Sequence, residues 1–260
     1  MRVSARKTIQ MTLEFSWILV AIVAIFLTAG TIKGALGVGL PTTAVSLMSI
    51  IVEPRLAVVL VVFPIFFANA WQIYRQGDIA RILKTYWVYA IVVVMSLWLS
   101  TQYAPSISPN AVSLIMGIAV LAFATVSYIS HIPAIPKRLE GPTQALVGLL
   151  SGAMGGIAAV WAPPVVIYML AKNFDREEFV RVSGFLLGVG GFPLLAGYLT
   201  NGLMPQPLPL ISALMILPTL AGFALGEQLR KLLSGPRFRQ ALLIFFFAMG
   251  INMVRKGLGF

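Results

Sequence analysis

Few side chains in this sequence could do chemistry, and their kinds narrow the options quickly. The 260 residues include no cysteine, one histidine (His131) and eight acidic residues. Without thiols there is no disulfide, thiolate metal site, iron–sulfur cluster or cysteine nucleophile. The carboxylates and the single imidazole are too few for metal ligation or paired acid–base work. No metal and no cofactor is therefore expected. An intramembrane serine nucleophile would need Gly-x-Ser-Gly, and Ser151-Gly152 and Ser183-Gly184 lack the preceding glycine. No Walker sequence is present, and Gly188-Val-Gly-Gly191 lies inside an apolar run, not in a dinucleotide loop. These absences argue against an enzyme.

What remains is the chemistry of holding an ion. Lys33 is the one basic residue inside a long apolar stretch, where a charge is costly and marks a functional position by default; the alternative is an interfacial lysine that snorkels. Asn69 and Gln72 stand three apart on one helix face and offer amide donors to an anion, or hydrogen bonds between helices. Thr42, Thr43 and Ser46 add hydroxyls behind Gly37 and Gly39; Trp161 walls the site or merely packs, ahead of Pro163 and Pro164. His131, at a loop edge, reads as structural in preference to a proton relay, and Asp175, Glu177 and Glu178 as a solvated face or a latch.

The elements that must position these groups are membrane helices. The chain is 59% hydrophobic and 10% charged, with mean hydropathy +0.93, too little polar surface to cover a soluble domain. The net charge of +11 is no nucleic-acid signal, because it sits in short clusters between apolar runs. Runs of bilayer-spanning character cover about Leu56–Tyr74, Tyr86–Tyr103, Ala111–Ile129, Phe179–Leu199, Leu208–Leu225 and Ala241–Val254. The run Phe15–Ala29 behind Arg2, Arg6 and Lys7 is expected to be a retained helix, not a cleaved leader.

Two stretches, Thr12–Val52 and Thr143–Lys172, are too long for one crossing and are broken by glycine and proline: Gly30 to Pro41 in the first, Gly152 to Pro164 in the second. Such segments fold as broken or re-entrant hairpins where protein or a cavity satisfies the freed backbone. Glycines there let a ligand approach, with Gly155 and Gly156 as backbone donors in the second break; the pairs Gly184/Gly188 and Gly222/Gly226 read instead as helix packing.

The halves are alike. Gly34-Ala-Leu-Gly37 recurs as Gly152-Ala-Met-Gly155, Glu53-Pro-Arg55 as Asp175-Arg-Glu177, and Ser108-Pro-Asn110 as Gly235-Pro-Arg237. The expected fold is all-α and polytopic: two inverted-topology repeats, about 12–131 and 140–258, each a broken hairpin plus three transmembrane helices. Orientation follows from charge. Arg75, Arg81, Lys84; Lys137, Arg138; Lys172, Arg176, Arg181; and Arg230, Lys231, Arg237, Arg239 fall on one face if each hairpin leaves on the side it entered. That face is the cytoplasm, which puts both termini outside. Trp71 and Trp87 flank the first basic loop as interfacial residues.

Broken helices at matching positions of two inverted halves characterise secondary transporters with a midplane site. The N-terminus of a helix starting inside the membrane presents unpaired N–H groups and a positive dipole end, which suits an anion. The site is expected between the breaks, with Lys33, Gly37, Gly39, Thr42, Thr43, Asn69, Gln72, Gly155, Gly156, Trp161, Pro163 and Pro164.

The series Gly34-Ala-Leu-Gly-Val-Gly-Leu-Pro41, Glu53-Pro-Arg-Leu-Ala57, Asn69, Gln72, Gly152-Ala-Met-Gly-Gly156, Ala162-Pro-Pro164, Asp175-Arg-Glu-Glu-Phe179 and Leu220-Ala-Gly-Phe-Ala-Leu-Gly226 resembles the TauE/SafE family over about Phe15 to Lys256. The resemblance implies a permease for sulfite, sulfonate, thiosulfate or a related anion, a carboxylate included, in the inner membrane, with export favoured and proton as the coupling ion. Two departures fall where the ligand is expected: Trp161-Ala162 where the family commonly has two glycines, and Leu40-Pro41 in its small-residue run. The other functions open to this sequence are a membrane scaffold that binds sulfur compounds without moving them, and an anion channel.

Overall fold

Apolar runs that cannot bond their amides to water must coil into helices, and the described residues are helical, with no strand among them. The computed structural model describes residues 2–128, 133–232 and 236–259, with side chains from residue 17 onward except those of 127, 176, 231–242 and 245. His131 and the end of the run expected to reach Ile129 lie outside the described residues, as do the side chains of Arg2, Arg6, Lys7, Arg176, Lys231, Arg237 and Arg239.

The helices are α1 (Arg2–Leu36), α2 (Leu40–Ile51), α3 (Pro54–Gln76), α4 (Ile79–Tyr103) and α5 (Pro109–Tyr128), then α6 (Glu140–Ala158), α7 (Ala162–Ala171), α8 (Arg176–Val189), α9 (Gly191–Thr200), α10 (Leu208–Leu214), α11 (Ile216–Leu232) and α12 (Pro236–Gly257). Among the described residues, six segments are long and apolar enough to cross a bilayer: Trp17–Leu36, Pro54–Gln76, Ile79–Ser106, Pro109–Val126, Glu177–Thr200 and Leu208–Arg230. The short apolar helices Leu40–Ile51 and Ala162–Ala171 are not. At 1.5 Å per residue they reach about halfway.

Both breaks are shorter than the sequence suggests. Helix α1 runs through Gly30, Lys33 and Gly34, and only Gly37–Gly39 is non-helical. Helix α6 runs through Gly152, Gly155 and Gly156, and only Ala159–Trp161 intervenes before α7. The reason is packing. A Cβ on Gly30 or Gly34 would meet the backbone of Thr219 or Phe223 on α11; on Gly222 or Gly226 it would meet Leu27 or Thr31 on α1. Those glycines are close-approach contacts between helices. Gly148, Gly152 and Gly156 do the same against Tyr89, Ser96 and Ser100 of α4.

The contacts also fix direction. Rising numbers on α1 meet rising numbers on α11, and those on α6 meet rising numbers on α4, so each pair is parallel. Gly184, Gly188 and Gly191 of α8 and α9 meet Gln72, Asn69 and Phe66 in descending order, so α3 runs against α8–α9. Gly117 faces Val254 while Gly257 faces Leu114, which makes α5 and α12 antiparallel.

One end of the bundle carries the ion pairs Arg81–Glu178 (2.9 Å), Lys172–Glu140 (3.0 Å) and Arg75–Glu227 (3.9 Å). Glu178 also receives Arg181 at 2.9 Å, and Asp175 caps α8 through Glu178 N–H at 2.8 Å. These acids tie helices together at a polar end. At the opposite end Arg55 donates to Ala104 and Pro105 carbonyls at 2.8 Å, and Asn201 to Thr101 O at 3.4 Å. Helix α1 reaches the basic end, where Arg230 Nε donates to Gly34 O at 3.0 Å, and α2 returns towards Lys256, which bonds Ser49 O. Helix α6 leaves the basic end, and α7 returns to it at Lys172. Each hairpin thus exits at the end it entered. Trp71 and Trp87 are 41% and 56% exposed on the bundle surface near the basic end, as residues at a bilayer interface would be.

Candidate functional site

The two breaks meet around a small cavity of about 10 Å³, lined by Lys33, Gly39, Leu40, Pro41, Ile65, Asn69, Trp161, Ala162 and Leu187. That is room for roughly one water. The first break needs glycine: Gly37 has φ +82° and Gly39 φ +101°, conformations an L side chain rarely adopts. The second makes its turn with a non-glycine residue, Ala159 at φ +53°, after which Trp161 precedes the first turn of α7.

Lys33 lies in the last turn of α1 and is 2% exposed, so it does not snorkel. Its Nζ donates to Asn69 Oδ1 at 2.7 Å. Asn69 in turn donates from Nδ2 to Leu187 O at 3.3 Å, and Trp161 Nε1–H donates to the same carbonyl at 3.1 Å. A polar chain therefore links α1, α3, α8 and the start of α7. Among the described residues no carboxylate stands within ion-pair distance of Lys33, and none lines the cavity.

Leu187 is free to accept because α8 ends at Val189 and the last four carbonyls of a helix have no intrahelical donor. The neighbouring Leu186 carbonyl receives Tyr89 O–H at 3.1 Å. The mirror device occurs on α3, where Pro64 has no N–H to give to Leu60 O. Ser212, on α10, supplies the missing donor at 2.8 Å.

Of the residues singled out in the sequence, Lys33, Gly39, Asn69 and Trp161 line the cavity. Gly37 sits behind it, against Val180 and Ser183. Thr42 Oγ1 turns back to Gly39 O at 3.1 Å; Thr43 is fully buried, with its hydroxyl unpaired. Gln72 lies one turn nearer the basic end, donating to Val180 O at 2.8 Å and Ser183 Oγ at 3.3 Å, with Oε1 unpaired. Pro163 and Pro164 occupy the first turn of α7 without lining the cavity. Gly155 and Gly156 are a correction. They lie inside α6, where backbone N–H groups belong to the helix ladder and are not free for a ligand. Gly155 instead makes room for Trp161, whose Cβ would be 3.1 Å from an added methyl, and Gly156 packs on Ser100.

Leu40, Pro41 and Ala162, marked in the sequence as departures from the family pattern, also line the cavity, whereas Leu187 and Ile65 were not singled out. Of these two, only Leu187 left a trace there, in the Gly188–Gly191 run that interrupts its span.

The arrangement suits an anion. Helices α2 and α7 both begin at the cavity, so their first N–H groups lack intrahelical acceptors. Prolines remove some donors: Leu40 and Thr42 keep theirs in the first turn of α2, while α7 keeps Ala162 ahead of Pro163-Pro164. The ammonium of Lys33 supplies the full charge.

Neither a curated protein nor a solved structure matches this chain. A family does: the one described as sulfite exporter TauE/SafE matches residues 22–253. Together with six helices of spanning length, that match makes this a multi-pass membrane protein of transporter type, and the chain belongs to the TauE/SafE family.

Proposed function

We propose that this protein is a secondary transporter that exports sulfite or an organosulfur anion across the inner membrane, with the cavity between the two breaks as its substrate site. The observation that carries this proposal is Lys33: a buried cation beside two helix N-termini, with no carboxylate within ion-pair reach among the described residues. A charge of that kind is costly unless an anion arrives to complete it. The membership in a sulfite exporter family supplies the class of cargo.

The halves 12–131 and 140–258 are taken as inverted repeats. Support comes from the element order, a long helix, a short helix and three further helical stretches (α3, α4 and α5; then α8–α9, α10–α11 and α12), which is met twice, and from the opposite directions of α3 and α8–α9 and of α5 and α12. A cavity with room for one water holds no sulfite, so transport requires the hairpins to part. An inside-negative potential favours anion exit by about 2.3 kcal/mol per charge per 100 mV, and proton is the proposed coupling ion.

Flux from proteoliposomes loaded with sulfite, thiosulfate, sulfoacetate or lactate tests the proposal. Saturable efflux of at least one sulfur anion, lost in Lys33→Met, is expected. Binding without flux for every anion would make the protein a scaffold instead.

A further inference from the structure

Resting on the anion-transport proposal, we infer that this site accepts compact oxyanions carrying a single net negative charge and discriminates against dianions. Charge in this region has little water to screen it. Lys33 contributes one positive charge, and among the described residues no other ionisable side chain lines the cavity. On α11, Glu227 pairs with Arg75, while Arg230 keeps its charge and donates to the Gly34 carbonyl from outside the lining. Helices α2, α3, α7 and α8 bring only Leu40, Pro41, Ile65, Asn69, Ala162 and Leu187 to the lining.

Helix dipoles do not raise the total. The N-termini of α2 and α7 each act as roughly +0.5 charge, but each break also brings the C-terminus of α1 or α6, roughly −0.5, to the same place. The opposed half-charges largely cancel, leaving the N–H groups as local donors and Lys33 as the net charge. A monoanion neutralises it. A dianion leaves one uncompensated negative charge in a low-dielectric site, which is strongly disfavoured.

Asn69 fits this role. Its Oδ1 holds the ammonium at 2.7 Å, and its Nδ2 is committed to Leu187 O, so it is fixed as an acceptor for Lys33. An incoming oxygen takes the ammonium's remaining donors without displacing the amide, which keeps Lys33 in place when the site is empty.

The test is binding to the purified wild-type protein in detergent, read as protection against thermal unfolding or by calorimetry, with methanesulfonate against sulfate and thiosulfate as probes of similar size. The monoanion is expected to bind at least tenfold more tightly than either dianion. Lys33→Arg should keep the preference and Lys33→Met should abolish it. Sulfate or thiosulfate binding as well as methanesulfonate would overturn the inference, and so would no binding of any of these probes. Flux of sulfite and thiosulfate at equal affinity would leave the transport proposal standing and remove this one. Charge-selective binding without flux would do the reverse.

Discussion

The two breaks occupy matching places in the two halves but are built from different chemistry. The first turns on Gly37 and Gly39, carries Lys33 one turn earlier, and opens into a helix start with two free donors. The second turns on Ala159, carries no charge, and fills its space with the Trp161 ring. The first break brings a lysine to the cavity, and the second brings the Trp161 ring, whose indole donates to Leu187 O.

The largest way to break this contrast is to remove the wall. Trp161 is 2% exposed, and Trp161→Ala should cost about 3–5 kcal/mol of stability through the cavity it leaves. If the ring sets the size of the site, the surviving protein should also admit larger sulfonates, measured as competition against sulfite exchange. Trp161→Phe keeps most of the bulk and loses one hydrogen bond, at about 1 kcal/mol.

Removing the charge acts on function instead. Lys33→Met should weaken anion binding by about 2–3 kcal/mol, roughly 30- to 150-fold, the range for a hydrogen bond to a charged group. Its thermal stability should stay level or rise, because a buried cation without a carboxylate partner is replaced by an apolar side chain. A stability loss with unchanged anion affinity would make Lys33 a structural residue. Asn69→Ala, which leaves the ammonium without its acceptor, should weaken binding by about 1–3 kcal/mol.

How much of this was legible in the sequence depends on which residues carried a local rule. The membrane character, the broken hairpins and the choice of Lys33 and Asn69 as candidates follow from composition, length and the cost of a buried charge. The extent of each break does not. Gly30, Gly34, Gly152 and Gly156 look like breakers in sequence, yet each lies in an unbroken helix because a partner helix fills the space a side chain would need. Only contacts between helices distant in sequence separate a packing glycine from a turning one. Likewise Gly155 and Gly156 lost their expected role to the helix ladder, and the Leu187 carbonyl gained one from a helix end that hydropathy does not mark.

The smallest expected effect is the sharpest comparison, because it exchanges the two turning devices. Gly39 at φ +101° and Ala159 at φ +53° both leave the ordinary helical region. Gly39→Ala forces a Cβ into that conformation and to within 3.3 Å of Ile32 Cγ2 and 3.5 Å of the Phe246 ring, so it should cost about 1–2 kcal/mol. Because Gly39 lines the cavity, anion affinity should fall with it. Ala159→Gly runs the other way. It relieves the left-handed strain of about 1 kcal/mol, against which stand the greater freedom of glycine in the unfolded chain and the loss of one buried methyl, worth about 0.8 kcal/mol. The net change should lie within about 0.5 kcal/mol of zero, with sulfite flux unaltered. Paired melting curves and flux measurements on the two variants decide it. Equal damage from both would mean that the second break holds substrate as closely as the first, and the division of labour between a charged half and a walled half would have to be abandoned.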